Sequence, residues 1–430
     1  MSLRIAQVSS YDQQGGAARA TLRLHRALRE AGEDSTLFVK RANGGEAAVI
    51  QAQGPTDFYG RLGRFIRRQA NAWDQYRYRS SRPSGLDQFS GIRGEVGVGT
   101  ISQIPPVDVI NLHWVADAFI DLPALFDSIP SQQPLVWTLH DMNALTGGCH
   151  YDDGCRRHET GCGHCPQLGS HSSRDLSTRL WKAKNRLYQS IDPTRLHLVT
   201  PSRWLAQEAQ RSPLLSRFNV SVITNGLDTR TFRPIDKKLA RAALNLPQGA
   251  RIVIFVAESV ANRRKGYSEL LQSIARVTDS SNLVLLTLGA DSDLKHQTTF
   301  CRQLGHVDDE GLLALAYSAA DIFAIPSLQE VLGNTALEAI ACGIPVVGFN
   351  VGGIPDLVRP NETGLMAPVG DVNAFATAIS ALLSNEDKRE FMSKRCREVA
   401  VAEFDQKLQA ARYRSLYQAL VDGRNSQAHG

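Results

Sequence analysis

The chain has 430 residues, 43% of them apolar, and a formal net charge of +5. That length exceeds what one hydrophobic core serves, so two domains are expected, and so mild a charge excludes a nucleic-acid binder held mainly by phosphate contacts. No run reaches the ~18 apolar residues of a membrane-spanning helix, and the first residues read as a strand and not as a secretory signal, so a cytoplasmic protein is expected.

Leu3 to Ser9 has the character of a buried strand; Gly15 and Gly16 follow, then Leu22, Leu24, Ala27 and Leu28 at helical spacing. A glycine-rich loop ahead of a helix N-terminus lets backbone approach a ligand and attracts anions, so Gly15 and Gly16 are candidate ligand-binding residues, against the plainer reading of a turn. Thr36 to Lys40 reads as a second strand and 41–57 as polar loop. In 58–82, Phe58, Leu62, Phe65, Ile66 and Trp73 approximate one helical stripe, with Arg61, Arg64, Arg67 and Arg68 mostly off it and Arg77, Arg79 and Arg82 beyond. The commoner case is a stripe facing the core; the alternative is a helix resting on an anionic membrane or meeting a phosphorylated acceptor.

Asp108 to Trp114 and Pro134 to His140 are apolar runs suited to parallel strands buried on both faces, and they carry His113 and His140 to their carboxyl ends, where ligands of such sheets bind. Next, Cys149, Cys155, Cys162 and Cys165 have the spacing C-x5-C-x6-C-x2-C. Four soft ligands in one short loop suit a closed structural zinc site, which is the expectation. An iron–sulfur cluster, two disulfides and free thiols stay open, with His150, His158 and His164 as substitute ligands. A helix at Leu176 to Gln189 and strands at Leu196 to Ser202 and Val220 to Thr224 complete this half.

The second half repeats the pattern, with strands at Arg251 to Ala257, Leu283 to Leu288, Asp321 to Ile325 and Val346 to Phe349 separated by helical stretches. Arg263, Arg264 and Lys265 stand before Gly266 near a strand's carboxyl end, where a diphosphate leaving group needs cations; a solvated basic triplet is the plainer reading. In Ile325 to Phe349, Glu330 and Glu338 have seven residues between them, and Asn334 and Thr335 can cap a helix that carries Glu338. At ~1.5 Å rise per helical residue the pair spans a nucleoside diphosphate sugar, with N–H groups near Gly333, Asn334 and Thr335 as an anion site between them. A last helix is expected at about 405–422, then a disordered tail.

The run PS-x-x-E-x-x-G-N-T-x-L-E-A-x-A-x-G-x-P-V-V resembles the E-x7-E signature of retaining glycosyltransferases of the family 4 type. TNGLDTRTFRP, Arg264-Lys265-Gly266 and VGGIPD resemble further segments of that family, the last with Asp356 in place of glutamate, while Glu258-Ser259 stands where many members have Gly-Arg. The resemblance implies the α/β GT-B fold, two facing Rossmann-like domains with an interdomain cleft. It implies an acceptor-side domain over 1–232, with the Cys-rich loop at 146–168 and the helix at about 405–422 packing back on it, and a nucleotide-sugar-binding domain over 235–404. It also implies roles: Lys265 and Arg264, chosen over Arg263, at the diphosphate, Glu330 orienting the donor sugar, Glu338 on the ribose, and His140 at the sugar with His113 behind it. The reaction implied is retaining transfer from a nucleoside diphosphate sugar to a glycan or lipid-linked acceptor. No catalytic divalent metal is expected. The cysteine loop resembles one in some bacterial exopolysaccharide transferases of the colanic-acid type, which suggests surface polysaccharide synthesis, and the alternative reading of 58–82 adds a peripheral place at the inner face of an anionic membrane. The rival class is a non-catalytic relative that binds sugar nucleotide or glycan as partner of an active transferase. A hydride-transferring Rossmann enzyme is disfavoured, because no G-x-G-x-x-G follows Ser9 or Ala257.

Overall fold

In a computed structural model that describes residues 2–55, 57–95, 101–277, 282–290 and 301–428, every apolar run read above forms a strand of a parallel sheet. The chain divides into two units, Met1–Thr224 with Gln409–Gly430, and Asn225–Leu408. Among the described residues the first unit holds β1 (Arg4–Tyr11), β2 (Asp34–Arg41), β3 (Val49–Gln51), β4 (Val109–Leu112), β5 (Leu135–Thr138), β6 (Leu196–Thr200) and β7 (Asn219–Val222), ordered β3-β2-β1-β4-β5-β6-β7. The second holds β8 (Arg251–Ser259), β9 (Leu283–Ala290), β10 (Cys301–Gly305), β11 (Ile322–Ile325), β12 (Val346–Phe349) and β13 (Gly364–Ala367), ordered β10-β9-β8-β11-β12-β13. Each is a doubly wound Rossmann-like α/β domain. Strand order reverses between β1 and β4 and again between β8 and β11, and a sheet of this kind binds ligands beyond the carboxyl ends of its strands at such a switch.

Continuous apolar strands arise because both sheet faces are covered. Along β8, Ile252 and Ile254 join one core cluster and Val253 and Phe255 another; along β11, Phe323 and Ile325 side with the former, Ile322 and Ala324 with the latter. Alternate side chains thus enter cores on opposite faces, as the two-residue period of a strand requires. The strands absent from the sequence reading, β3, β10 and β13, all lie at sheet edges.

The last helix, Gln406–Ala428, continues beyond residue 422, so residues 423–428 are helical where a disordered tail is expected; 429–430 lie outside the described residues. Its Tyr413 and Tyr417 are fully buried with Leu3, Ile5, Val109, Val136 and Val199 of the first unit's sheet, and Arg414 pairs with buried Glu33 at 2.7 Å.

The helix Phe58–Tyr76 overturns the core-facing reading, since none of its residues is buried. Phe58, Leu62, Phe65, Ile66 and Trp73 are 69%, 44%, 57%, 57% and 63% exposed. It is held by its polar side: Arg64 pairs with Glu95 at 2.7 Å, Arg67 donates to the carbonyl of Gly94, Asn71 to that of Arg93 and Gln75 to that of Phe89, while Asp74 pairs with Arg179. Positions 64, 67, 71, 74 and 75 make one helical stripe, so the helix docks through hydrogen bonds and presents its apolar side outward. Among the described residues no helix is long and apolar enough to cross a membrane.

In the second unit Asp321 enters β11 buried. It accepts from Lys237 at 2.7 Å, from Arg241 at 2.9 Å and from the backbone N–H of Ile252. Burial pushes its carboxyl up, but Lys237 and Arg241 outweigh this and hold it below its ordinary value. Asp321→Ala leaves Arg241, itself buried, without its carboxylate, and is expected to cost about 3–5 kcal/mol in denaturant unfolding. A loss within experimental error would remove this pair from the account of stability.

Candidate functional site

Beyond β8, a single turn at Arg263–Lys265 leads to Gly266, whose φ is +68°. A Cβ there would stand 1.8 Å from the carbonyl oxygen of Pro326, so only glycine lets this turn lie against the end of β11. That contact brings the two segments together. Lys265 Nζ donates to Glu330 Oε2 at 2.7 Å, Arg264 Nη1 approaches the same oxygen at 3.4 Å, and the Ser327 hydroxyl donates to it at 3.3 Å. Arg264 also donates to the carbonyl of Gln329, whereas Arg263 is exposed. Glu330 is 6% exposed; burial raises its carboxyl, yet Lys265 and then Arg264 hold it below the usual range, so it is ionised at neutral pH.

The backbone of Glu330 is clamped as well. Gly353 N–H donates to its carbonyl at 3.0 Å, and at Gly352, φ +57°, a Cβ would stand 1.8 Å from that same oxygen. The glycine pair of VGGIPD is thereby explained by close approach to the carboxylate's own backbone. The helix Asn334–Ala341 starts at Gly333, φ +93°, with no side-chain cap, so Asn334 and Thr335 are its first residues and not its caps. Glu338, one turn further on, is buried and accepts from the Tyr317 hydroxyl at 2.9 Å. Asn334 accepts from Asn225 at 2.8 Å.

In the first unit the corresponding strand ends carry a chain of hydrogen bonds. Gln7 in β1 donates through Nε2 to the Tyr417 hydroxyl at 3.4 Å, and its Oε1 meets His113 Nε2 at 2.6 Å. An amide oxygen only accepts, so His113 carries its proton on Nε2, and its Nδ1 accepts from His140 Nε2 at 2.9 Å. His140 is left with Nδ1 as an acceptor. Burial holds His113 well below the ordinary histidine value and takes His140 down to about 4, so both rings are neutral at pH 7. Asn111 also donates to Tyr417, and Thr138 links Asn111 to Tyr413. The C-terminal helix thus supplies two hydroxyls that fix side chains of β1, β4 and β5.

Next to His140, Asp141 accepts from Trp114 Nε1 at 2.7 Å and meets His150 Nδ1 at 2.5 Å, and the other ring nitrogen of His150 meets the Ser90 hydroxyl at 2.9 Å. Both His150 nitrogens are therefore committed, which removes it as a substitute metal ligand. Gly15, φ +89°, precedes the helix Gly16–Glu30, again without a side-chain cap. Asp12, just before this loop, is fully buried; Oδ2 accepts from the N–H groups of Asn43 and Gly44, while Oδ1 has no hydrogen-bond partner. Cys149, Cys155, Cys162 and Cys165 line one small cavity in the same unit. Gln7, Asp12 and Tyr417 escape a reading by motif: a lone polar residue in an apolar strand, or a tyrosine in an amphipathic helix, gives no pattern until the fold joins them.

Histidines held low in the folded state disfavour protonation, so their contribution to stability is full above the unfolded value near 6.5 and is lost as pH falls toward 4. Thermal stability is expected to drop across that window, and His140→Asn to flatten the drop. An unchanged slope in the variant would contradict the neutral pair.

A family model described as Glycosyltransferase Family 4 matches residues 14–231, and one described as Glycosyl transferases group 1 matches residues 250–385. D-inositol 3-phosphate glycosyltransferases of Mycobacterium bovis and Mycobacterium tuberculosis are 34% identical over 178 residues, 38% of this chain and 36% of theirs. The chain thus spans only about a third of the length of the curated relatives it matches. Among solved structures, sucrose-phosphate synthase from Thermosynechococcus elongatus is similar with a TM-score of 0.69 at 21% identity, over 98% of this chain and 100% of that one. HepE from Anabaena, in complex with UDP and glucose, is similar with a TM-score of 0.66 at 16% identity, over 97% and 100%. At those identities the likeness is one of fold.

Proposed function

This chain belongs to glycosyltransferase family 4, and we propose that it moves a sugar from a nucleoside diphosphate sugar to a glycan or lipid-linked acceptor in surface polysaccharide synthesis, retaining the anomeric configuration. The observation that carries the reading is the cluster of Lys265, Arg264 and Glu330 beyond the strand ends beside the β8/β11 switch, two cations and one buried carboxylate. Lys265 and Arg264 would neutralise the departing diphosphate with the help of the helix N-terminus at Asn334; no divalent metal is assigned to this step. Glu330 would bind sugar hydroxyls and Glu338 those of the ribose, while Nδ1 of His140 would accept from a sugar hydroxyl. The UDP and glucose of the Anabaena structure support a donor of this class. The resemblance of the Glu330 to Glu338 segment to retaining enzymes supports retention. An inositol phosphate acceptor is not adopted, since the mycobacterial match covers so little of either chain.

The proposed setting is the cytoplasmic face of an anionic membrane, reached through the helix Phe58–Tyr76. Its outward apolar residues suit the acyl boundary and the exposed Arg61, Arg68, Arg77 and Arg79 suit lipid phosphates. Arg64 and Arg67 do not belong to that basic set, because they bond to Glu95 and Gly94. Vesicles containing anionic lipid are expected to bind the protein and to release it as salt rises, and Phe65→Ser with Trp73→Ser to abolish binding. Failure to bind such vesicles at low salt would remove the membrane from the proposal.

For the reaction, a panel of nucleoside diphosphate sugars is expected to yield one donor from which the protein slowly releases nucleoside diphosphate. Tight binding of a donor with no release, with or without acceptor glycans, would favour the non-catalytic relative.

A further inference from the structure

The loop 146–168 contains two single-turn 3-10 helices and no strand, and four successive residues in it, Gly161, Cys162, Gly163 and His164, have φ of +113°, +59°, +105° and +45°. Non-glycine residues persist in that region only where their surroundings over-determine them. The apolar cluster beneath is small, Phe89, Leu168 and Leu176 with two of the loop's own cysteines, Cys149 and Cys165. Hydrogen bonds hold part of this backbone, from Cys162 N–H to the carbonyl of Arg157 at 2.8 Å, from Gly163 N–H to the Ser177 hydroxyl at 2.9 Å and from His164 N–H to the carbonyl of Ser172 at 2.8 Å, and sulfur lines the cavity beside it.

Cys149, Cys155, Cys162 and Cys165 line a single cavity together with Asp152 and His158, and all four are free thiols. Three of the sulfurs meet backbone N–H groups: Cys162 that of Gly147 at 3.3 Å, Cys155 that of Arg157, and Cys165 those of Gln167 and Leu168. Close to Cys149 and Cys162 lies Lys184, with no exposed surface, whose ammonium donates to the carbonyls of Asn143 and Thr146 and to the side-chain oxygen of Asn143, all neutral groups. Lys184 thus ties the helix Leu176–Gln189 to the start of the loop.

We propose that Cys149, Cys155, Cys162 and Cys165 together bind one zinc ion as a tetrahedral four-thiolate site that fixes this loop and, through it, His150 beside Asp141. In the present structure the sulfurs do not close on a point; among the described residues, His158, Glu159 and Glu208 form the group whose ligand atoms all lie within 4.8 Å of one another. That group is the weaker candidate, because Arg156 pairs with Glu159 and Arg211 with Glu208, so its carboxylates already have cations. Binding at the thiols would draw each sulfur to about 2.3 Å from the ion and leave no position for water or substrate, so the site is structural. His150 is committed to Asp141 and Ser90, and His164 is exposed and bonded to the carbonyl of His171. His158 is the one histidine of the loop that lines the cavity, held between Asp152 at 3.6 Å and Glu208 at 3.5 Å without a hydrogen bond at either nitrogen.

The test is elemental analysis of the full chain purified without added metal, paired with cobalt(II) titration of the chelator-treated protein. One zinc per chain is expected, and a thiolate-to-cobalt charge-transfer band with the visible bands of tetrahedral coordination. Cys155→Ser and Cys162→Ser should each lower metal content and shift the cobalt spectrum, while Cys301→Ser and His158→Ala should retain both. Because a cysteine variant can fail to fold, hydrogen exchange of the wild type before and after zinc removal supplies a second readout, with protection lost in 146–168 and kept in β8. Four reactive thiols with no zinc uptake, two disulfides, iron with inorganic sulfide, or loss of zinc in His158→Ala alone would overturn the proposal.

Discussion

Lys265→Ala is expected to lower turnover by about 10²–10³-fold, the usual consequence of removing one preorganised charge from a developing anion. Lys265 stands 2.7 Å from Glu330, which is itself nearly out of solvent, so the pair is set before any ligand arrives. Glu330→Gln keeps the volume and the Ser327 contact but removes the charge, and is expected to lose as much. Arg264→Ala should lose less, because its guanidinium is 3.4 Å from the carboxylate and is shared with the carbonyl of Gln329. Glu338→Ala should raise KM for the donor more than it lowers kcat. Measured by steady-state kinetics on variants with unaltered circular dichroism, near-normal turnover in Lys265→Ala or Glu330→Gln would defeat the assignment.

A comparable loss is expected from a single methyl group. In Gly352→Ala the new carbon would stand 1.8 Å from the carbonyl of Glu330, and in Gly266→Ala the same distance from that of Pro326, both at positive φ. Neither obstacle is a flexible side chain, so backbone must move, and the backbone that moves carries Glu330 or the turn of Arg264 and Lys265. The left-handed conformation alone costs about 1–2 kcal/mol. Gly370→Ala separates the two effects, since its φ is +77° and nothing lies within 4 Å of the added carbon. That variant should lose some stability and keep its turnover, whereas Gly352→Ala and Gly266→Ala should lose kcat/KM to the degree of Glu330→Gln. If Gly352→Ala behaved like Gly370→Ala, the backbone clamp would have no functional part.

These glycines also show how far the sequence could be read. Most of the ten legible strands are unbroken apolar runs because both their faces are covered, as in RIVIFVA of β8; β7, an edge strand with no buried residue, is an exception. The three that were not, β3, β10 and β13, are edge strands, short or polar on one side, and their residues resemble loop. That Lys265 and Glu330 converge beyond the strand ends was legible through the resemblance of their two segments, and the structure adds why Gly266, Gly352 and Ser327 accompany them. The histidine pair was legible only as two strand ends; its tautomers depend on Gln7 and Tyr417, which are 410 positions apart in the chain. The helix Phe58–Tyr76 shows the opposite failure. Its periodicity was correct and its direction was not, because amphipathicity states that a helix has two sides and leaves open which one the protein keeps.

The central claim, transfer of a sugar with retention by the Lys265 and Glu330 site, is tested most directly by proton NMR of the product formed from a donor of known anomeric configuration. The expected result is a glycoside with the donor's own anomeric coupling, formed by the wild type and lost in Lys265→Ala. A product of opposite configuration, or one formed equally well by the variant, would contradict it.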